Sequence, residues 1–156
     1  MKVKPTVLAG IVATLVVAAP TGLAQDKRVW TASIAGSGQA TEAGYARRLA
    51  DLINDYRRGN GLGPLAVANE LESIATEHSS RMAAERRLSH DGFRNRFDRT
   101  SARLCVENVG WNFPFPEAQL EGWRASPGHH RNLLEPKVAR MGLAVAGPYV
   151  TFFACS

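Results

Sequence analysis

Two apolar runs close this chain, Met141 to Ala146 and Tyr149 to Ala154, with only Gly147-Pro148 between them. Two such runs on either side of turn residues predict an antiparallel hairpin. A further stretch, Val106 to Trp111, also suits a strand. The first half of the chain carries a different period. Tyr45, Leu49, Leu52, Ile53 and Tyr56 recur at helical spacing, and so do Leu71, Ile74, Ala75 and Met82. Helical stripes followed by paired strands imply an α+β layered domain, with helices flanking a short antiparallel sheet.

Local signals place the element ends. Thr41 is a cap for the first helix, and Gly59-Asn60-Gly61 stops it. Asn69 with Glu72 forms a capping-box-like start to the second helix. His78 lies on the buried stripe of that helix, where a hydrogen-bonded core histidine is the expected role, placed to face a cleft from behind. From Leu88 to Arg103 the chain is polar, with a turn at Asp91-Gly92 and Phe93 and Phe97 as anchors. Pro116 opens a third helix that runs to about Ala125, and Ser126-Pro127-Gly128 ends it. The pairs Arg57-Arg58 and Arg86-Arg87 fall at helix ends, where they complement the helix dipole.

Before Thr41 the chain has another purpose. Lys2 and Lys4 precede an apolar run from Val7 to Ala19, which falls short of the ~20 residues a membrane span needs. Pro20 breaks the run, and Gly22-Leu23-Ala24 supplies small residues for cleavage. Residues 1–24 therefore read as a secretion signal, the competing reading being an uncleaved anchor. Residues 25–40 read as a flexible leader and residues 41–156 as one domain. The cleaved chain would not be an integral membrane protein. It would be secreted, into a periplasm or out of the cell. Without Lys2 and Lys4 the net charge falls from +5 to +3. This mild basicity suits an anionic envelope surface. No cluster of Lys and Arg is interleaved with aromatics, so nucleic acid is not an expected partner. Cys105 and Cys155 are the only cysteines, and an even count behind a secretion signal reads as one disulfide; the alternative is a pair of free buried thiols.

Three short stretches carry the chemistry: Leu88-Ser89-His90-Asp91-Gly92-Phe93, Glu107-Asn108-Val109-Gly110-Trp111-Asn112, and Ser126-Pro127-Gly128-His129-His130-Arg131-Asn132-Leu133-Leu134. In this order they resemble the signature of the CAP superfamily (cysteine-rich secretory proteins, antigen 5, pathogenesis-related 1), most like its short bacterial members. The resemblance runs from about Ala43 to Cys155. It implies a three-layer α-β-α sandwich, and it places His90, His129 and Glu107 together in one cleft. The family's second glutamate would follow the Trp of the third helix. This chain reads Trp123-Arg124-Ala125-Ser126 there, with Ser126 near the expected place, so a triad rather than a tetrad is implied.

Two imidazoles and a carboxylate form a ligand set for Zn²⁺ or another divalent cation, with a fourth position for water. The same groups can act as general acid and base. His-Glu-x-x-His is absent, and no Gly-x-Ser-x-Gly elbow surrounds a serine. Equally, Asn108, Asn112, Ser126 and Asn132 can join the triad in a structural polar network. His130, Arg131 and Glu135 read as surface residues. The expected cleft is thus His90, Glu107, His129, Ser126 and Asn132, with His90, His129 and Glu107 as candidate metal ligands. Three functions follow. The resemblance favours a secreted binding module for a lipid, sterol or cell-envelope ligand. The others are a metal-dependent hydrolase, such as a protease, and a structural or signalling surface module with a vestigial site.

Overall fold

The computed structural model describes residues 27–156, with side chains from residue 42 onward. The signal-like segment 1–24 lies outside the described residues. The elements are α1 (Lys27–Gly59), β1 (Ala66–Val67), α2 (Asn69–Glu85), α3 (Phe93–Asp98), β2 (Cys105–Trp111), α4 (Pro116–Ala125), α5 (Pro127–Leu133), β3 (Arg140–Ala146) and β4 (Tyr149–Cys155).

The sheet has the order β1-β3-β4-β2. The hairpin forms as expected, with Ala146 opposite Tyr149 and Arg140 opposite Cys155. Strand β2 pairs antiparallel on the other side of β4, with Cys105 opposite Cys155. Strand β1 adds a short parallel rung, so the sheet is mixed rather than wholly antiparallel. Two residues between a glycine-proline bend and α2 carry too little pattern to be read as a strand.

Helices cover both faces. On one side α2 buries Leu71, Ile74 and Ala75 against Ala144 and Phe153. On the other, Leu49 and Ile53 of α1, Leu120 and Trp123 of α4, and Leu133 of α5 pack on Leu143, Phe152 and Ala154. The result is the α-β-α sandwich that the resemblance implies. Trp123 also donates its indole N–H to the Val109 carbonyl at 3.0 Å, fixing α4 to β2. Cys105 and Cys155 form a disulfide across the register pair that joins β2 to β4. They lie 50 residues apart. Closing a loop of that length stabilises the fold by about 4 kcal/mol in the chain-entropy account.

Several ends differ from the sequence reading. Helix α1 begins at Lys27 rather than Thr41, so it extends through most of the 25–40 stretch expected as a flexible leader. That stretch contains no proline to stop a helix. The other end agrees: Leu62 N–H reaches the Arg57 carbonyl and Gly61 N–H the Arg58 carbonyl, with Gly61 at φ +75°. This is a left-handed helix stop of the kind glycine favours. Helix α2 is capped by Ala68, not Asn69, and no side chain takes part. Arg57 does not serve the helix dipole. It is buried and donates to the carbonyls of Gly63, Leu133 and Glu135, tying α1 to the end of α5.

Candidate functional site

The site forms over the free edge of β2. Along this strand side chains alternate between faces. Glu107 therefore points to the α2–α3 side and Asn108 to the α5 side. The free edge itself needs partners for its main-chain groups. Asn132 supplies one: its amide donates to the Glu107 carbonyl and to the Asn108 side-chain oxygen, both at 2.9 Å. Asn108 in turn donates to the His129 carbonyl at 3.0 Å. These bonds hold α5 beside β2 and bring His129 to the edge. Asn112 is not part of the network. It turns the chain at φ +63° after β2, with its N–H on the Pro148 carbonyl.

From the opposite face comes the turn after α2. Asp91 N–H donates to the Ser89 hydroxyl, and Arg87 pairs with the Asp91 carboxylate at 2.6 Å. The turn presents His90 to the β2 edge with its side chain 52% exposed. Its ring centre lies 6.3 Å from that of His129. Phe93 packs edge-on against Phe153 and seats the start of α3, while Phe97 lies under the Arg94 guanidinium.

Glu107 is buried, and both its oxygens are engaged. Arg96 of α3, itself buried, donates Nε to Oε2 at 2.7 Å and Nη2 to Oε1 at 2.8 Å. His90 donates Nδ1–H to Oε1 at 2.9 Å. Burial alone would raise the carboxyl's pKa. The hydrogen bonds from His90 and Arg96, with the Arg96 charge, outweigh it and hold the group below its ordinary range. His78 stands behind, its Nε2 3.8 Å from Oε1. It is the hydrogen-bonded core histidine that the sequence predicts: Nε2–H donates to the Ser89 carbonyl and Nδ1 accepts from Arg81.

The resulting cleft has a volume of about 500 Å³. His90, His129, Glu107, Ser126 and Asn132 all border it, with Phe93, Val106 and the exposed Arg131. The Ser126 carbonyl accepts the His130 N–H at the joint between α4 and α5. Burial first, then the nearby His90 charge, lowers the His129 pKa, so this imidazole is neutral at pH 7. His130 points away, with Nε2 hydrogen-bonded to the Tyr56 hydroxyl at 2.8 Å and its ring half-buried against α1.

Glu107 serves as the partner of His90, not as a third ligand beside it. Its lone pairs point at Arg96 and His90, and among the described residues no group of three or more His, Cys, Asp or Glu is placed to hold a metal ion. A catalytic zinc takes three protein ligands. The donor set here is two imidazoles, and the third candidate is neutralised by an arginine.

Arg96 was not legible as a site residue. It sits among Arg94 and Arg99 in a segment read as a polar loop. Six residues of α3 are too few to show a period. The available signal was indirect: a glutamate buried in a strand needs a cation.

A model of the cysteine-rich secretory protein family matches residues 50–155. The Bacillus subtilis protein YkwD is 25% identical over 114 residues, which cover 69% of this chain and 44% of that protein. An extracellular protein containing an SCP domain from Bacillus anthracis superposes with a TM-score of 0.70 at 28% identity, over 73% of this chain and 41% of that one. A cysteine-rich secretory protein from Staphylococcus aureus gives a TM-score of 0.68 at 23% identity, over 73% and 38%. This chain spans less than half the length of these relatives.

Proposed function

The chain belongs to the cysteine-rich secretory protein (CAP) family, and on that premise we propose that it is a secreted, non-catalytic binding module whose cleft takes the polar head of a cell-envelope amphiphile, a lipid or sterol. The engagement of both Glu107 oxygens carries the reading. A carboxylate that acts as general base or as metal ligand must be free to accept a proton or to ligate the metal. This one is committed to Arg96 and His90. The cleft is bordered by a pair of imidazoles and by the exposed Arg131, groups suited to an oxygen-rich or anionic head. Phe93 and Val106 offer apolar contact beside them.

A second observation supports apposition to a lipid surface. From the end of β2 to the start of α4 the chain exposes three aromatics: Trp111 (51%), Phe113 (37%) and Phe115 (65%). Aromatic side chains so placed are suited to a membrane–water interface. Among the described residues no helix is long and apolar enough to cross a membrane.

The reading is tested by native mass spectrometry of the chain recovered from a secreting host. A bound amphiphile should be present, and His90→Ala with His129→Ala should lose it while circular dichroism and cooperative unfolding show the fold intact. Hydrolysis of ester or peptide substrates that disappears in the same variant would refute the proposal and favour the hydrolase.

A further inference from the structure

A second site, independent of the cleft, lies at the opposite edge of the sheet. We propose that the edge of β3 left open among the described residues binds an extended polypeptide segment carrying Lys or Arg at alternate positions, added as a strand in line with β1. Among the described residues, strand β1 alone pairs with this edge, and it covers Arg140 and Met141 of β3. The N–H groups of Ala66 and of Ala68, just after β1, reach the carbonyls of Ala139 and Met141, both at 2.9 Å. Main-chain groups on one edge repeat every second residue. The N–H and C=O of Leu143 and Val145 therefore face the same edge, beyond the point where β1 ends. Those of Gly142 and Ala144 face β4.

This edge borders a groove of about 720 Å³ between α1 and α2, larger than the His/Glu cleft. Ala43, Ala46 and Ala50 keep the α1 wall low. Val67, 53% exposed at the end of β1, opens into the same groove and offers apolar contact to a strand that continues its line. A strand laid here satisfies edge hydrogen bonds through its main chain, and alternate side chains point to the two walls.

Charge selects the occupant. Among the described residues, Glu42 and Asp51 line the α1 wall and Glu72 the α2 wall, against a single base, Arg47. Three carboxylates on a chain of net charge +5 make the groove an acidic patch on a basic protein. Both walls offer an acid, so basic side chains on either face of an added strand find a partner. The same acids oppose pairing of this edge with a second copy of itself, which would set like charges against each other.

The probes are two capped peptides, Lys-Val-Lys-Val-Lys-Val-Lys and its counterpart with Glu in place of Lys, titrated into the disulfide-intact chain. Amide exchange is followed residue by residue by NMR. The Lys peptide should bind and slow exchange at Leu143 and Val145. Asp51→Lys with Glu72→Lys, both at solvent-accessible positions, should weaken it by about tenfold. Val145→Pro removes one outward N–H and leaves the β4 ladder its own donors, so it should abolish the protection. Its fold is checked by unchanged pairing signals from β4. Four results would overturn the proposal: no binding at millimolar peptide, equal binding of both peptides, binding without slowed exchange at Leu143 and Val145, or edge protection that follows self-association instead of peptide.

Discussion

Arg96 and Glu107 illustrate why single residues in this site cannot be weighed by their own chemistry. Each is charged and nearly excluded from water, and each is tolerated because the other is present. Removing one partner leaves a buried charge with no counterion, which costs about 3–5 kcal/mol, whereas replacing both with apolar groups costs far less. Arg96→Ala should therefore lower unfolding free energy by about that amount in urea titration, and Arg96→Met with Glu107→Leu should lose clearly less. Equal losses in the two variants would mean that the pair matters through packing alone. In the double variant His90 also loses the acceptor for its Nδ1–H, so cleft binding should fall even where stability recovers.

At the scale of elements, the close seat of α2 on the sheet depends on Gly142. A Cβ at this position would lie 2.0 Å from the Leu71 carbonyl carbon and 2.3 Å from the Glu72 nitrogen. Both are helix backbone, so no rotamer change relieves the clash and α2 must move as a body. Gly142→Ala should destabilise by about 1–3 kcal/mol or more, the range for overpacking a filled core. Thermal unfolding measures it, and a melting temperature equal to that of the parent would show that α2 shifts freely. The displacement has a further consequence, because α2 carries His78 behind the cleft and Glu72 on the far groove. Helices α2 and α4 were legible in sequence almost to the residue, since each presents an apolar stripe and α4 opens on a proline. Helices α3 and α5 were not. They have six and seven residues, and their formation follows from docking over β2 rather than from local propensity.

For the whole molecule, the buried His78 and the half-buried His129 set how stability varies with pH. Burial, reinforced by Arg96 and Arg81, lowers the His78 pKa despite the Glu107 charge and the Ser89 carbonyl. His129 is lowered as well. A folded pKa below the unfolded value of 6.5 means that the unfolded chain takes up protons first as pH falls. The stability these neutral rings contribute is complete above pH 6.5 and is lost as pH drops through their folded values. Glu107, also held below its ordinary 4.5, adds a second loss further into acid. The melting temperature should be flat from about pH 8 to 7, then decline from about pH 6.5 downward. His129→Gln should make the first limb shallower. A curve that stays level down to pH 5 would contradict the lowered pKa of both rings.

The paired strands, the long helical stripes, the Cys105–Cys155 link and the meeting of His90 with His129 could all be read from the chain. The first three rest on a local period, a turn dipeptide or a count of two, and the last on the resemblance to a family. The partnership of Glu107 with Arg96, the engaged state of that carboxylate and the uncovered edge of β3 could not. They depend on which face of β2 a short helix covers and on how soon β1 ends, and such long-range contacts are selected by packing in three dimensions, where neighbours in space need not be neighbours in sequence.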